Sequence, residues 1–139
     1  MYKLLEDRHG IIGNKGWKER KVGDVRNFCR DNPRQVIVAV EGDEIAGYAT
    51  FGLDRDDRVG SVFNNAVDPV CRGRGIATVM IDWILDKFRR EGMNVARLVV
   101  FVHNHPARKV YEKLGFKEIA GSVHYTLDLE DGLRKSGKG

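Results

Sequence analysis

The chain has 139 residues, the usual size of one domain, and 42% of them are hydrophobic, which suffices for a single core. No apolar run approaches the roughly 18 residues of a membrane span, and the first ten residues are too charged for a secretory signal, so we expect a cytoplasmic protein without membrane contact. The net charge of +4 is dispersed along the chain, which argues against nucleic acid as a partner.

The sequence predicts one domain without a metal site. Cys29 and Cys71 lack metal-like spacing, so we expect two reduced thiols and no bound metal. No internal repeat or linker divides the chain. The predicted domain therefore covers residues 1–139. Within it, we expect residues 130–139 to be a disordered tail.

The first half of the chain predicts two helical segments followed by three strands. Lys3–His9 is typical of the end of a helix, and Val22–Arg30 of a second helix. The runs Gln35–Val40 and Ile45–Leu53 are joined by a short polar turn, which predicts an antiparallel hairpin. Ser61–Val67 is the third predicted strand.

The second half predicts a helix, a strand, a short helix and two final strands. From Ile76 to Glu91 apolar residues recur at helical spacing. Val95–Val102 is nearly all apolar, as expected of a strand covered on both faces. A second helix is predicted over Pro106–Leu114. The last predicted strands are Phe116–Ala120 and His124–Leu129.

The order of these elements indicates the fold class. A strand, a glycine-rich turn, a helix and a strand make a βαβ unit, here preceded by a hairpin and followed by another helix. The sequence therefore predicts an α/β or α+β domain, with a mixed sheet that is antiparallel at its start and parallel in its middle.

The turn between the third strand and the helix, CRGRGIAT at residues 71–78, favours a phosphate ligand. Its glycines allow close backbone approach, and the start of a helix presents N–H groups and a positive dipole end. The P-loop string does not occur, and the next strand does not end in the carboxylate that a dinucleotide-binding fold needs. A plain tight turn is the alternative interpretation.

Two stretches carry a resemblance to a known family. VDPVCRGRGIATVMIDWIL resembles the Gln/Arg-x-x-Gly-x-Gly/Ala acyl-CoA signature of the GNAT superfamily of N-acetyltransferases, through Arg72, Gly75 and Ala77. NHPARKVYEKLGF is similar to the second block of the same family. Both blocks stand in the family's order, with one helix and one strand between them, and the resemblance covers about Val36 to Leu129.

The resemblance implies that acetyl-CoA is the acyl donor and that the turn binds its pyrophosphate. The residues expected to bind it there are Arg72, Gly73, Arg74, Gly75, Ile76, Ala77 and Thr78. The family's fold also implies that the strand before the turn diverges from the next one. The pantetheine arm then pairs with the backbone of Asn65, Ala66 and Val67. Asn104 is expected on the far side of the cofactor, and a helix N-cap is its alternative role.

Acetyl transfer from a thioester to an amine needs a donor for the tetrahedral oxyanion and benefits from an acid for the departing thiolate. A backbone N–H near Val67 is the candidate oxyanion donor. Tyr111 is the candidate acid, because its position matches a tyrosine of the family's second block. A phenol is protonated at neutral pH and can therefore donate to a thiolate. Packing of its helix against the sheet is the alternative role of Tyr111.

The sequence leaves the general base open. Neither central strand carries a carboxylate where relatives often have a glutamate. Asn64 and Asn65 are polar, and successive strand residues face opposite sides, so we expect only one of them to face the cleft and order water or substrate. Other groups that could act through water are Asp54, Asp56, Asp57 and His103.

The resemblance therefore implies an N-acetyltransferase that transfers acetyl from acetyl-CoA to a primary amine by direct attack in a ternary complex. The acceptor is a small molecule or a protein, and a non-catalytic acyl-CoA-binding module is the alternative function. The family's first strand is missing from the pattern, which leaves Gln35–Val40 as a sheet edge able to pair with a second copy of the chain.

Overall fold

The structure is a computed structural model that describes residues 2–11, 15–119, 121 and 123–129. The elements in chain order are α1 (Tyr2–His9), α2 (Trp17–Asp31), β1 (Val36–Glu41), β2 (Glu44–Asp54), β3 (Val59–Val67), α3 (Ile76–Arg90), β4 (Val95–Arg97) and α4 (His105–Lys113). Short 3-10 helices at Pro33–Gln35 and Pro69–Cys71 precede β1 and α3. The predicted disordered tail at 130–139 lies outside the described residues.

The described residues divide into two compact units. The larger unit, Phe28–Glu118, contains the sheet with α3 and α4. The other consists of the described residues within 1–27 and 119–139. Within it, the main-chain N–H of Trp17 at the start of α2 donates to the Glu6 carboxylate of α1 over 2.7 Å. None of the described helices combines the length and the apolar character needed to cross a membrane.

The sheet confirms the predicted mixed topology. Its strands lie in the order β1-β2-β3-β4. The pairs β1–β2 and β2–β3 are antiparallel, and β3 and β4 are parallel around the connecting helix α3. As predicted, β1 lies at an edge of the described sheet.

The later strands are shorter than predicted. The strand expected over Val95–Val102 ends at Arg97, because β3 pairs with β4 only from Val59 to Ser61. The segments Phe116–Ala120 and His124–Leu129 contain no strand in their described residues, and Ala120 lies outside them. A local sequence pattern says nothing about whether a neighbouring strand is there to pair with, which a strand also requires.

The core lies between the sheet and α3. Its buried side chains are Met80, Ile81, Ile84, Leu85 and Phe88 of α3, Ala49, Phe51 and Val62 of the sheet, and Tyr111 of α4. A Cβ at Gly60 of β3 would lie only 2.5 Å from the Phe88 ring, so a glycine is needed for this approach of helix and strand. The buried face of α3 is narrower than its helical spacing suggests, since Val79 is 69% exposed.

A bulge in β3 decides which side chains face α3. Ala49 pairs with Asn65 and Phe51 with Val62, so two residues of β3, Phe63 and Asn64, stand opposite the single residue Thr50. The buried Thr50 hydroxyl accepts a hydrogen bond from the Asn64 N–H at 3.0 Å and donates to the Asn64 carbonyl at 3.4 Å. The backbone N–H and C=O of Asn64 at the bulge therefore both have a hydrogen-bond partner. Beyond the bulge, the Asn65 side chain lies on the same face of the sheet as Ala49.

Candidate functional site

The second half of β3, Val62–Val67, is here called the open end because its ladder with β4 has stopped at Ser61. The N–H of Asp68 donates to the Ala46 carbonyl at 2.7 Å, toward β2. Backbone groups alternate sides along a strand, so those of Val67 and Asn65 point away from β2. The same alternation turns the backbone groups of Ala66 toward β2. Three residues were predicted to pair with the pantetheine arm through their backbone. Of these, Asn65 and Val67 have backbone groups on the side of β3 opposite to β2, where pairing with β4 has stopped.

The glycine-rich turn has the conformation that its sequence suggested. Gly73 and Gly75 have φ values of 81° and 78°, in the left-handed region that favours glycine. Gly75 caps the start of α3, and its carbonyl accepts from the Val79 N–H at 3.1 Å. The N–H groups of the first turn of α3 have no intrahelical acceptor, which leaves them available to an anion. A Cβ at either glycine would have open space around it.

Two arginines add positive charge to this turn. Arg74 forms a 2.6 Å ion pair with Glu41 at the end of β1, and both side chains are about half exposed. An exposed ion pair of this kind is typically worth ~0–1 kcal/mol, so an incoming phosphate can compete for Arg74. Arg72 is exposed on the same turn. The helix start and these two cations together suit a ligand with several negative charges.

A pocket of about 370 Å³ lies between the start of β2 and the end of β3. Its lining residues are Ile45, Ala46, Gly47, Tyr48, Ala66, Val67, Asp68, Pro69 and Arg72. Burial raises the pKa of the Tyr48 phenol, and the nearby Cys29 raises it further. Tyr48 is therefore a neutral hydrogen-bonding group at physiological pH.

Tyr111 lies beside the open end of β3. It is only 8% exposed, and its ring packs edge-on against Phe116 with the ring centroids 6.0 Å apart. Its hydroxyl oxygen accepts a hydrogen bond from the side-chain amide of Asn65 at 3.0 Å. The structure confirms the packing role. It also brings the phenol to the stretch of β3 that has no pairing with β4.

Asn104 caps α4. Its side-chain oxygen accepts from the Ala107 N–H at 3.3 Å, which confirms the N-cap role. Its second predicted role, toward the cofactor, stays a prediction. The neighbouring His103 is stacked on Phe101, with the ring centroids 5.7 Å apart.

The aspartates suggested as bases lie at the wrong end of the sheet. Asp54 accepts from the main-chain N–H groups of Asp56 and Asp57 in the β2–β3 turn. The nine residues of β3 separate this turn from Val67 by roughly 25 Å, too far for any role in a reaction there. Asp68 directly follows Val67 and lines the pocket, and its side chain accepts from the Val70 N–H at 3.0 Å, which caps the short 3-10 helix there.

Comparison with known proteins identifies the family. The family model described as Acetyltransferase (GNAT) family matches residues 1–116. The chain belongs to this GNAT family. The glycine-rich turn, the open end of β3 and Tyr111 all lie within the matched residues.

Two relatives of known name have different substrates in their names. The GNAT chain is 32% identical over 111 residues to the L-amino acid N-acetyltransferase AaaT of Escherichia coli strain K12, over 76% of this chain and 62% of that protein. It is 28% identical over 96 residues to the ribosomal protein bS18 alanine N-acetyltransferase of Haemophilus ducreyi, over 69% of this chain and 64% of that protein. The chain thus spans less than two thirds of the length of either relative.

A solved structure shares the fold. The NatC complex bound to Gag peptide and CoA superposes with a TM-score of 0.64 at 24% identity, over 86% of this chain and 76% of the matched chain. This likeness confirms the GNAT fold that the sequence predicted.

Proposed function

We propose that this protein is an N-acetyltransferase that moves the acetyl group of acetyl-CoA to a primary amine of a small molecule or a protein. The observation that carries the proposal is the Tyr111 hydroxyl, held by Asn65 at the open end of β3. A strand without a neighbour on one side, ending in an anion-binding turn, fits an extended ligand that carries phosphates.

The turn and the open end would divide the work of holding acetyl-CoA. The residues that would hold the pyrophosphate are the backbone of Gly73, Gly75, Ile76, Ala77 and Thr78 and the side chains of Arg72 and Arg74. The backbone groups of Asn65 and the carbonyl of Val67 would pair with the pantetheine arm as a neighbouring strand does, which leaves the Val67 N–H for the reacting carbonyl. Because Asn65 would bind the pantetheine arm through its backbone, its side chain remains available for another role.

The chemistry would use two groups of the chain. As the amine nitrogen bonds to the carbonyl carbon and the carbon–sulfur bond breaks, the N–H of Val67 would donate to the carbonyl oxygen, on which negative charge develops. The Tyr111 hydroxyl would give its proton to the departing thiolate. The proton lost by the amine passes to water, and water returns a proton to the Tyr111 phenolate before the next turnover.

The breadth of the acceptor class is inferred from the named relatives. The pocket lining carries one charge of each sign, Asp68 and Arg72, and Arg72 is the residue proposed to bind the pyrophosphate. The names of the two relatives include an L-amino acid and a ribosomal protein. These observations support a small molecule or a protein as the acceptor.

A panel of amines tests the proposal. Purified protein is incubated with acetyl-CoA and with L-amino acids, aminoglycosides, polyamines or peptides with free N-termini, and thiol release is followed. We expect release with at least one acceptor. A protein that binds acetyl-CoA by calorimetry but is inert toward every amine would be the binding module instead. Absence of binding would overturn both functions.

We also propose that the protein works in the cytoplasm as a homodimer paired through β1. This strand lies at an edge of the described sheet, and its Val38 and Val40 are half exposed. Pairing with a second β1 would supply partners for the edge backbone groups. Light scattering should then give twice the chain mass, and a monomer at every working concentration would remove this proposal.

A further inference from the structure

The hydrogen bond between Asn65 and Tyr111 has a direction that affects what the phenol can do. A phenol has one O–H to donate and can also accept, whereas an amide NH₂ group can only donate. In the structure it is the amide nitrogen of Asn65 that lies 3.0 Å from the Tyr111 oxygen. The phenol is therefore the acceptor in this bond, and its own proton is left for another partner.

We infer that the Asn65 side chain is a positioning residue for Tyr111, which leaves the phenol proton free for the departing thiolate. This inference rests on the proposed function of Tyr111 as the acid. The amide N–H also stabilises the negative charge that develops on the phenol oxygen as its proton leaves. Asn65 thus acts through Tyr111 in addition to the backbone role proposed for it.

The bulge of β3 explains why Asn65, and not Asn64, does this. Strict alternation from Val62, which lies on the α3 face, would bring Asn64 back to that face. The extra residue opposite Thr50 shifts the alternation by one, and Asn65 pairs with Ala49 of the buried face instead. The fully buried Thr50 hydroxyl binds the backbone of Asn64 and so fixes this register.

The burial of Tyr111 restricts which residue types at position 65 can support its hydroxyl. Tyr111 is only 8% exposed, so little water can replace the hydrogen bond that its hydroxyl accepts from Asn65. An apolar residue at position 65 would remove that partner. A carboxylate would keep the shape of the asparagine but would accept the phenol proton instead of donating to the oxygen.

Asn65→Asp, Tyr111→Phe and the double variant test this inference as a thermodynamic cycle. Thiol release is measured with acetyl-CoA and the best acceptor of the amine panel. We expect Asn65→Asp to lower kcat by at least about tenfold, and by no more than the ~10²–10⁴-fold that acid catalysis contributes, and to leave KM for acetyl-CoA unchanged. In the Tyr111→Phe background, Asn65→Asp should add no further loss, because residues that act as a unit are not additive.

The control is Asn94→Asp, the same chemical change at an exposed residue directly before β4, and it should keep wild-type kcat. Thermal unfolding checks that Asn65→Asp is folded. Wild-type kcat in Asn65→Asp, or losses that add in the double variant, would overturn the inference while leaving the acid role of Tyr111 intact. Wild-type kcat in Tyr111→Phe, or a wild-type protein inert toward every amine, would remove the proposed function and this inference with it.

Discussion

The two ends of β3 are built in opposite ways. At Val59–Ser61, the closed end, the strand has β2 on one side and β4 on the other, and α3 packs closely onto Gly60. At Val62–Val67, the open end, the ladder with β4 has stopped, and the strand bulges and leads into the glycine-rich turn. One strand thus carries a part that stabilises the fold and a part that leaves backbone groups for a ligand.

The charged groups near the two ends of β3 also differ in how they are paired and exposed. Close to the closed end, Glu91 accepts from Lys87 at 3.0 Å and from Arg55 at 3.1 Å. Hydrogen bonds from Lys87 and Arg55, in that order of size, lower the pKa of Glu91. At the turn beyond the open end, Arg72 is exposed beside a helix start, and Arg74 makes only the half-exposed ion pair with Glu41. Changes at the open end should therefore abolish function, and changes at the closed end should reduce stability.

The largest expected effect is at Gly75. Gly75→Glu would put a carboxylate at the helix start where the pyrophosphate is proposed to bind, so we expect acetyl-CoA binding to be lost in calorimetric titration. Gly92→Glu is the matched control. Gly92 has nearly the same φ, 79°, and the same open space, but it follows the other end of α3. Unchanged affinity in Gly75→Glu would contradict the proposed phosphate site.

The next effect is on turnover alone. Tyr111→Phe keeps the ring packing against Phe116 and removes the hydroxyl, so kcat should fall by ~10²–10⁴-fold with acetyl-CoA affinity unchanged. The loss should shrink with acyl donors whose leaving thiol has a low pKa, since these need less protonation. Tyr125→Phe, at a residue 91% exposed, serves as the control and should turn over normally. A normal kcat in Tyr111→Phe would leave the phenol with packing only.

A change at the closed end should reduce stability. Gly60→Ala would force the Phe88 ring to move, because the new Cβ would lie 2.5 Å from it, and such overpacking costs roughly 1–3 kcal/mol. Urea unfolding measures this loss, and the folded protein should still bind acetyl-CoA. Gly23→Ala in α2, where a Cβ meets no atom within 4 Å, should instead be neutral or stabilising. Equal stabilities for the two variants would argue against the close packing.

The smallest effect is a pH-dependent one at Glu91. Since its pKa is lowered in the folded state, its contribution to stability is present above the ordinary carboxylate pKa and is lost as the pH falls through the folded value. Glu91→Gln should therefore lower the melting temperature slightly at pH 7 and have no effect in strong acid. A difference that persists unchanged in acid would contradict this contribution.

The local patterns predicted more of the fold than of the site. Helical spacing predicted α3, and apolar runs predicted β1, β2 and β3, because these signals are short-range. The bulge depends on how Thr50 meets β3 across the hairpin, so alternation could not show which asparagine faces Tyr111. The distance of Asp54 from the proposed site could have been predicted from the order of the elements. Asp54 precedes β3 and the glycine-rich turn follows β3, so the two lie at opposite ends of this strand.

The site proposed for the acyl donor is built largely from main-chain groups, and this affects how the protein tolerates mutation. Every residue except proline carries the same N–H and C=O groups. Replacements along the open end of β3 and the first turn of α3 should therefore accumulate with little loss of donor binding, as long as Gly73 and Gly75 keep their positive φ. Choice of acceptor can then diverge between descendants of one ancestral chain while the donor stays the same.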